Sequence, residues 1–213
     1  MTARHHPSPD TLLAFASGSL DPARGLVVAC HIERCPACAG QVRLMEEVGG
    51  ALLADAEPTP LTDGALARTL ARLDGIAPEA AAVPGRGHDM PVVSQALERC
   101  ALGPWRWIGP GLHWRSTDVL AEDGTRAFLL RSKPGTRLPH HTHTGVEMTL
   151  VLKGAFSHQG GRYAAGDLEE ADEATEHQPI VDPGEDCICL VAMNGNLRLL
   201  GVMGRLLQPF VRL

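Results

Sequence analysis

Three features are missing from the sequence: an excess of positive charge, a long hydrophobic run and a signal for secretion. The net charge is -6, which argues against direct binding of nucleic acid, since that usually needs a basic patch, and allows a basic partner. No apolar run approaches the roughly 18 residues of a membrane-spanning helix, so we expect no membrane segment. The start of the chain, MTARHHPSPD, has no apolar core, so we expect a cytoplasmic protein.

The six cysteines among 213 residues do not suggest a disulfide framework. In a reducing cytoplasm, thiols serve as metal ligands or as sensors. Three ligand-type residues are grouped in the stretch CHIERCPAC, with the pattern His31-x3-Cys35-x2-Cys38. In a helix, residues three or four positions apart share a face, so these side chains can converge on one ion. The alternative interpretation is three ordinary buried residues.

A structural zinc ion takes four nitrogen or sulfur ligands, so the pattern needs a fourth. The upstream candidates are His5 and His6. We favour His6, because it directly precedes the stiff Pro-Ser-Pro segment at residues 7–9, which leads into the first helix. The sequence therefore predicts a zinc site formed by His6, His31, Cys35 and Cys38.

Capping residues and prolines predict four short helices in the N-terminal part of the chain. Their start signals are Ser8-Pro9, Asp21-Pro22, Pro36 and Thr62. A helical domain this small buries little apolar surface, so a metal would act as its staple. The apolar faces are generous for so few residues. The surplus could bind a partner, although a plain bundle core is the commoner arrangement.

The pattern changes after the helices. Residues 75–91 are rich in glycine, proline and alanine and predict a linker. Beyond them, short stretches with strand character are punctuated by glycine and proline, which is typical of a sandwich or barrel. We therefore predict a two-domain protein of the α plus all-β class: a helical domain at residues 1–76, a linker at 77–91 and a β-barrel at 92–213. The predicted strands lie at residues 112–120, 126–131, 146–152, 155–159, 162–164 and 187–193, with a hairpin turn at Gly160-Gly161.

A second group of metal-ligand residues lies in the predicted barrel. His141 and His143 are two positions apart, so on a strand they point to the same side, and Glu147 continues that parity. Two imidazoles and a carboxylate suit Zn²⁺, Fe²⁺ or Mn²⁺. The distal His177 would complete the set. The alternative interpretation is a histidine-rich loop.

Two segments of this region resemble the cupin family of small β-barrels. Residues 135–154 carry every defining position of the first cupin motif, including His141, His143 and Glu147. Residues 166–181 resemble the second motif and keep its first glycine and His177. They differ at Asp172, Ala174 and Val181, where the family usually has proline, glycine and asparagine. The resemblance implies a cupin barrel that binds a metal through His141, His143, Glu147 and His177.

The N-terminal module resembles the zinc-binding anti-sigma domain, whose signature is an upstream histidine followed by His-x3-Cys-x2-Cys. The order of zinc module, linker and cupin makes nearly the whole chain similar to the ChrR family of anti-sigma factors. That resemblance implies a helical domain that docks between the two domains of an extracytoplasmic-function sigma factor, in a 1:1 complex, and blocks RNA polymerase binding. It also implies zinc in the N-terminal site, zinc or another divalent metal in the barrel, and a cupin needed for sigma release in response to singlet oxygen.

Two other functions remain open at this point. The chain could be a metal-dependent cupin enzyme, such as a dioxygenase or isomerase, with a zinc-stapled regulatory domain. It could also be a zinc-stabilised interaction module with a purely structural barrel. A singlet-oxygen sensor needs oxidisable groups, and the cupin ligands and the pair Cys187 and Cys189 are candidates. As i,i+2 residues on a strand, the two cysteines are poorly placed for an unstrained disulfide, and buried apolar residues are the commoner outcome.

Overall fold

A computed structural model describes residues 3–74 and 94–200 of the chain. The predicted linker at residues 75–91 and the domain boundaries beside it lie outside these ranges. The described part contains helices followed by an antiparallel β-barrel, as predicted. None of the helices in the described ranges is long and apolar enough to cross a membrane.

The four predicted helices begin where their start signals predict, with one exception, and a fifth short helix at Gln95–Glu98 was not predicted. The side chain of Ser8 accepts a hydrogen bond from the backbone of Thr11, and Asp21 accepts two from Ala23 and Arg24, which satisfies backbone donors at each helix start. Proline occupies the first position of the first three helices. The helices are α1 Pro9–Ala16, α2 Pro22–Ile32, α3 Pro36–Ala54, α4 Ala65–Asp74 and the single turn α5 Gln95–Glu98.

The exception is Thr62, which we predicted as the cap of α4. The helix begins three residues later, at Ala65, and Gly64 before it has a φ of 72°. That left-handed conformation is readily accessible only to glycine and interrupts the helix. The Thr62 hydroxyl instead accepts a hydrogen bond from Arg68.

The barrel is built from three antiparallel sheets. A six-stranded sheet has the order β1-β2-β3-β10-β5-β8, and smaller sheets pair β7-β6-β9 and β11-β4. Each predicted strand is present to within one residue at either end, and the predicted hairpin joins β6 to β7 around residues 159 and 160. The strands are β1 Arg106–Gly109, β2 Leu112–Leu120, β3 Arg126–Ser132, β4 His141–His143, β5 Glu147–Lys153, β6 Ala155–His158, β7 Gly161–Ala164, β8 Leu168–Ala171, β9 Ile180–Val181, β10 Cys187–Met193 and β11 Leu197–Leu199.

The helices and the barrel share a hydrophobic core. Every residue of β10 is buried, because both faces of this central strand are covered. Ile188 and Leu190 belong to a core cluster that also contains Val27 and Val28 of α2. The alternate residues of β10 belong to a second cluster, inside the barrel. Helix α2 therefore lies against the outer face of the six-stranded sheet.

Candidate functional site

The four predicted zinc ligands meet at the junction of α2 and α3. The ligand atoms of His6, His31, Cys35 and Cys38 all lie within 4.8 Å of one another. The segment is not one helix, since α2 ends at Ile32 and Pro36 starts α3. The break places one ligand in the last turn of α2 and two at the start of α3.

His6 joins this N-terminal metal set and His5 does not. Nδ1 of His6 lies 3.4 Å from the sulfur of Cys35 and 3.4 Å from that of Cys38. The ring of His5 instead packs against Tyr163, with 4.3 Å between ring centroids. The geometry therefore favours the histidine that we selected from the sequence.

The protonation of His31 suits a metal ligand. Its Nδ1 donates a hydrogen bond to the backbone carbonyl of Gly166 at 2.9 Å. Burial lowers the pKa of the imidazole, so the ring is neutral and Nε2 keeps its lone pair. Nε2 is buried, with no hydrogen-bond partner among the described residues. Burying a nitrogen lone pair without a partner costs folding free energy, and a metal ion bound to that lone pair would remove the cost.

The two thiols also suit a cation-binding site. The Cys35 side chain makes no capping hydrogen bond to α3. Burial, and then the neighbouring Cys35, raise the pKa of the Cys38 thiol to about 12. Thiolate is the metal-binding form, so binding of a divalent ion should release protons from this site. Two imidazoles and two thiolates are a common donor set of structural zinc.

Three of the four predicted barrel ligands also converge. Nε2 of His177 lies 3.0 Å from Nε2 of His141 and 3.2 Å from Nε2 of His143. His141 and His143 share a face of β4, and His177 is paired with His141 through an antiparallel bridge. Burial lowers the pKa of both His141 and His143 to about 4. These two rings are therefore neutral near pH 7 and able to bind a metal.

Glu147, the fourth predicted ligand, lies beside this group but outside the cluster of Nε2 atoms. One carboxylate oxygen is 3.5 Å from Nδ1 of His143, and the other accepts a hydrogen bond from Thr149. Burial raises the pKa of the Glu147 carboxyl, so the charged form is disfavoured unless a cation is present. Its role as a ligand stays a prediction.

Two further residues extend the barrel group and were missed in the sequence. The carboxylate of Glu169 lies 2.7 Å from Nε2 of His158 and 3.5 Å from Nδ1 of His177. Burial alone would raise the pKa of Glu169, but the two histidines outweigh it and hold the value at about 2. A carboxylate behind a ligating histidine is a frequent partner in metal sites, where it orients the ring.

Comparison with known proteins places the chain in a family. The chain is 38% identical, over the full length of both sequences, to the anti-sigma-E factor ChrR of Cereibacter sphaeroides. The chain belongs to the ChrR family of anti-sigma factors. The sequence profile of the ChrR cupin-like domain matches residues 94–196. The fold is similar to a chain in the crystal structure of Rhodobacter sphaeroides SigE in complex with the anti-sigma ChrR, with a TM-score of 0.75, 37% identity and coverage of 91% of this chain and 100% of that one.

The ChrR-family barrel of this chain contains a partly open cavity of about 760 Å³, with mostly apolar walls. The barrel histidines His141 and His177 form part of the wall, and so do Cys187 and Cys189. The two cysteines share a face of β10, as predicted, with 3.7 Å between their sulfur atoms. Both are buried free thiols, and contact with Cys187 followed by burial raises the pKa of Cys189 well above its usual value.

Helices α3 and α4 present apolar side chains to solvent. Helix α3 buries only Cys38 and Val42, and the apolar side chains of its second half point to solvent. The leucines of α4 are likewise exposed, so they do not form a bundle core with α3. We define the α3–α4 face by its exposed apolar residues, which are Leu44, Val48, Leu52, Leu53, Leu66, Leu70 and Leu73.

Replacing Glu169 with glutamine tests the carboxylate behind His177. We expect the metal affinity of the barrel to fall about 10–100-fold, because a neutral amide replaces the ionised carboxylate that lies beside Nδ1 of His177 and favours the ligating orientation of the ring. Competition of the full-length chain with a chelator measures this affinity. Glu173→Gln is the control, since Glu173 is exposed in the turn after β8. An unchanged affinity in Glu169→Gln would show that His177 is held without this carboxylate.

Proposed function

We propose that this chain is an anti-sigma factor which binds an extracytoplasmic-function sigma factor 1:1 in the cytoplasm and keeps it from RNA polymerase. The proposal is supported by membership of the ChrR family and by 38% identity to the anti-sigma-E factor ChrR of Cereibacter sphaeroides. The similar solved chain is part of a complex with SigE. The structural feature that most supports the proposal is the exposed apolar surface of the α3–α4 face.

The α3–α4 face has the residue pattern of a protein-binding surface. Leu44, Val48 and Leu52 are four residues apart and lie along one side of α3, and Leu52 and Leu53 are 70% and 77% exposed. Burial of one leucine side chain contributes about 1.5–3 kcal/mol. Clustered exposed apolar residues are unfavourable in water and mark interaction sites. Two amphipathic helices of this kind can dock into grooves between partner domains.

Two metal ions per chain are part of the proposal. Zinc is held by His6, His31, Cys35 and Cys38, where the unpartnered nitrogen of His31 supports a metal ligand. In the barrel, His141, His143 and His177, together with Glu147, hold zinc or another divalent metal. The first ion fixes the start of α3 against α2, and so presents the α3–α4 face.

The barrel is proposed to govern release of the sigma factor in response to singlet oxygen. Imidazole and thiol groups are oxidisable, and both kinds line the cavity, as the barrel ligands and as Cys187 and Cys189. The cavity wall passes through β10, whose opposite face packs against the helices. A structural change inside the barrel can therefore reach α2 through β10, which contacts both.

His177→Ala tests the barrel's part in the response. We expect normal repression of a sigma-dependent reporter without stress, because the α3–α4 face is untouched, and weaker induction by singlet oxygen, because the barrel metal set is broken. His140→Ala is the control, since His140 is exposed and outside the set. Loss of repression before any stress would contradict this division of labour.

The proposed function is tested most directly by copurification with a sigma factor and by transcription with purified RNA polymerase. An anti-sigma factor should form a 1:1 complex and abolish sigma-dependent transcripts at equal concentration. A metal-dependent cupin enzyme, or a module with a purely structural barrel, would leave transcription unchanged in this assay.

A further inference from the structure

The N-terminal segment, residues 3–8, is bound to the barrel at the turn between β7 and β8. The backbone N–H groups of Arg4 and His5 donate to one carboxylate oxygen of Asp167, at 2.6 Å and 3.1 Å. The N–H of Leu168 donates in turn to the carbonyl of His5 at 3.2 Å, and that of Ser8 donates to the side chain of Glu170. The segment therefore lies along β8 and is fixed on both sides of His6.

His6 needs this support more than the other members of its set. Its side chain is exposed, whereas His31, Cys35 and Cys38 are buried and are placed by helices α2 and α3. The polar contacts that hold the His6 ring are to the two cysteine sulfurs. The backbone of residues 3–8 consequently decides where the His6 nitrogen lies.

Asp167 is itself rigidly held. Only 4% of the residue is exposed, and its second carboxylate oxygen accepts a hydrogen bond from the N–H of Ala164 at 2.9 Å. Burial alone would raise the pKa of Asp167, but the N–H donors of Ala164, Arg4 and His5 outweigh it and lower the value. Hydrogen bonds to an ionised acceptor are stronger than neutral ones. The preceding residue, Gly166, accepts the hydrogen bond that orients His31.

We propose that Asp167 is a positioning residue of the N-terminal metal set, so that the barrel completes a site whose four ligands all come from the helical part. Two consecutive barrel residues then orient both histidine ligands. Gly166 orients His31 directly, by accepting its hydrogen bond, and Asp167 orients His6 by holding the segment that carries it. When residues 3–8 detach from β8, His6 leaves the metal before the three buried ligands do. The inference rests on metal binding by the N-terminal set, which is part of the proposed function.

The test uses the full chain loaded with Co²⁺, whose thiolate-to-cobalt absorption reports the site of Cys35 and Cys38. The Cys35→Ser/Cys38→Ser variant sets the background. We expect Asp167→Ala to lose cobalt to excess chelator at least ten times faster than the wild type, in line with the effect of outer-shell partners on metal binding. Asp167→Asn keeps an oxygen for Arg4 and His5 but places an amide N–H₂ against Ala164, so we expect an intermediate rate.

Asp186→Ala is the matched control, because it removes another barrel carboxylate, one that pairs with Arg131 away from residues 3–8. Release at the wild-type rate in Asp167→Ala would overturn the inference, and so would equal acceleration in both alanine variants. If Asp167→Ala does not fold, the comparison of Asp167→Asn with Asp186→Asn decides. A wild-type chain without a thiolate–cobalt band would instead remove the proposed metal site, and the inference with it.

Discussion

Replacement of Cys35 and Cys38 by serine is expected to remove the N-terminal metal and to abolish sigma inhibition. Structural zinc contributes about 10–16 kcal/mol of apparent folding free energy in small domains. Without the metal, helix α3 is held mainly by its packing against α1, since Cys38 and Val42 are its only buried residues. Helix α2 should remain folded, because Val27 and Val28 pack in the core shared with the sheet. The loss should therefore be confined to α3 and to the α3–α4 face that depends on it.

Metal analysis, far-UV circular dichroism and the transcription assay measure the three parts of this expectation. Cys100→Ser is the control, because Cys100 is a buried free thiol outside both metal sets. It should keep both metals and full inhibition. If the double variant inhibited as well as the wild type, the metal would be incidental to the partner interface.

Charged substitutions on the α3–α4 face are expected to have the second large effect. Leu52→Asp combined with Leu70→Asp removes two apolar contacts worth about 1.5–3 kcal/mol each and buries two carboxylates at the interface. We expect sigma binding to weaken at least 100-fold. Thermal stability and metal content should stay near wild type, because the two side chains are 70% and 51% exposed in the free chain.

Leu120→Asp is the matched control, since Leu120 lies on β2 and is 67% exposed. It should bind the sigma factor with wild-type affinity in the same titration. Equal weakening by Leu120→Asp would mean that the barrel carries the interface. Unchanged binding of the double variant would exclude the α3–α4 face as the docking surface.

Much of the molecule follows from short-range sequence patterns. The starts of α1 and α2 are fixed by Ser8 and Asp21, whose side chains satisfy backbone donors two or three residues away. The i,i+2 spacing of His141 and His143 places both on one face of β4. These features are predictable because the interacting groups lie within one turn or one strand of each other. The family resemblance added support for the two ligands from distant segments, His6 and His177, which local spacing alone does not assign.

The role of Glu169 could not be predicted from such short-range patterns. The motif contains adjacent Glu169 and Glu170, and nothing local tells which one faces inward. Pairing with β5 puts Glu169 opposite Thr149, inside the barrel, whereas Glu170 reaches the N-terminal segment. The α4 start at Ala65 was also missed, because Gly64 takes a left-handed conformation that no capping pattern announces.

The sequence by itself determined the starts of α1, α2 and α3, six of the eleven described strands and the residue types of both metal sets. Only the tertiary structure decided how the sets are supported. The hydrogen bonds from His31 to Gly166 and from the N-terminal segment to Asp167 join residues 135 or more positions apart. They exist because α2 covers the outer face of the six-stranded sheet and buries β10 on both sides. The packing of α2 on this sheet depends on the complete apolar surfaces of both. Those surfaces combine residues from distant parts of the chain, so no short stretch of sequence specifies the packing.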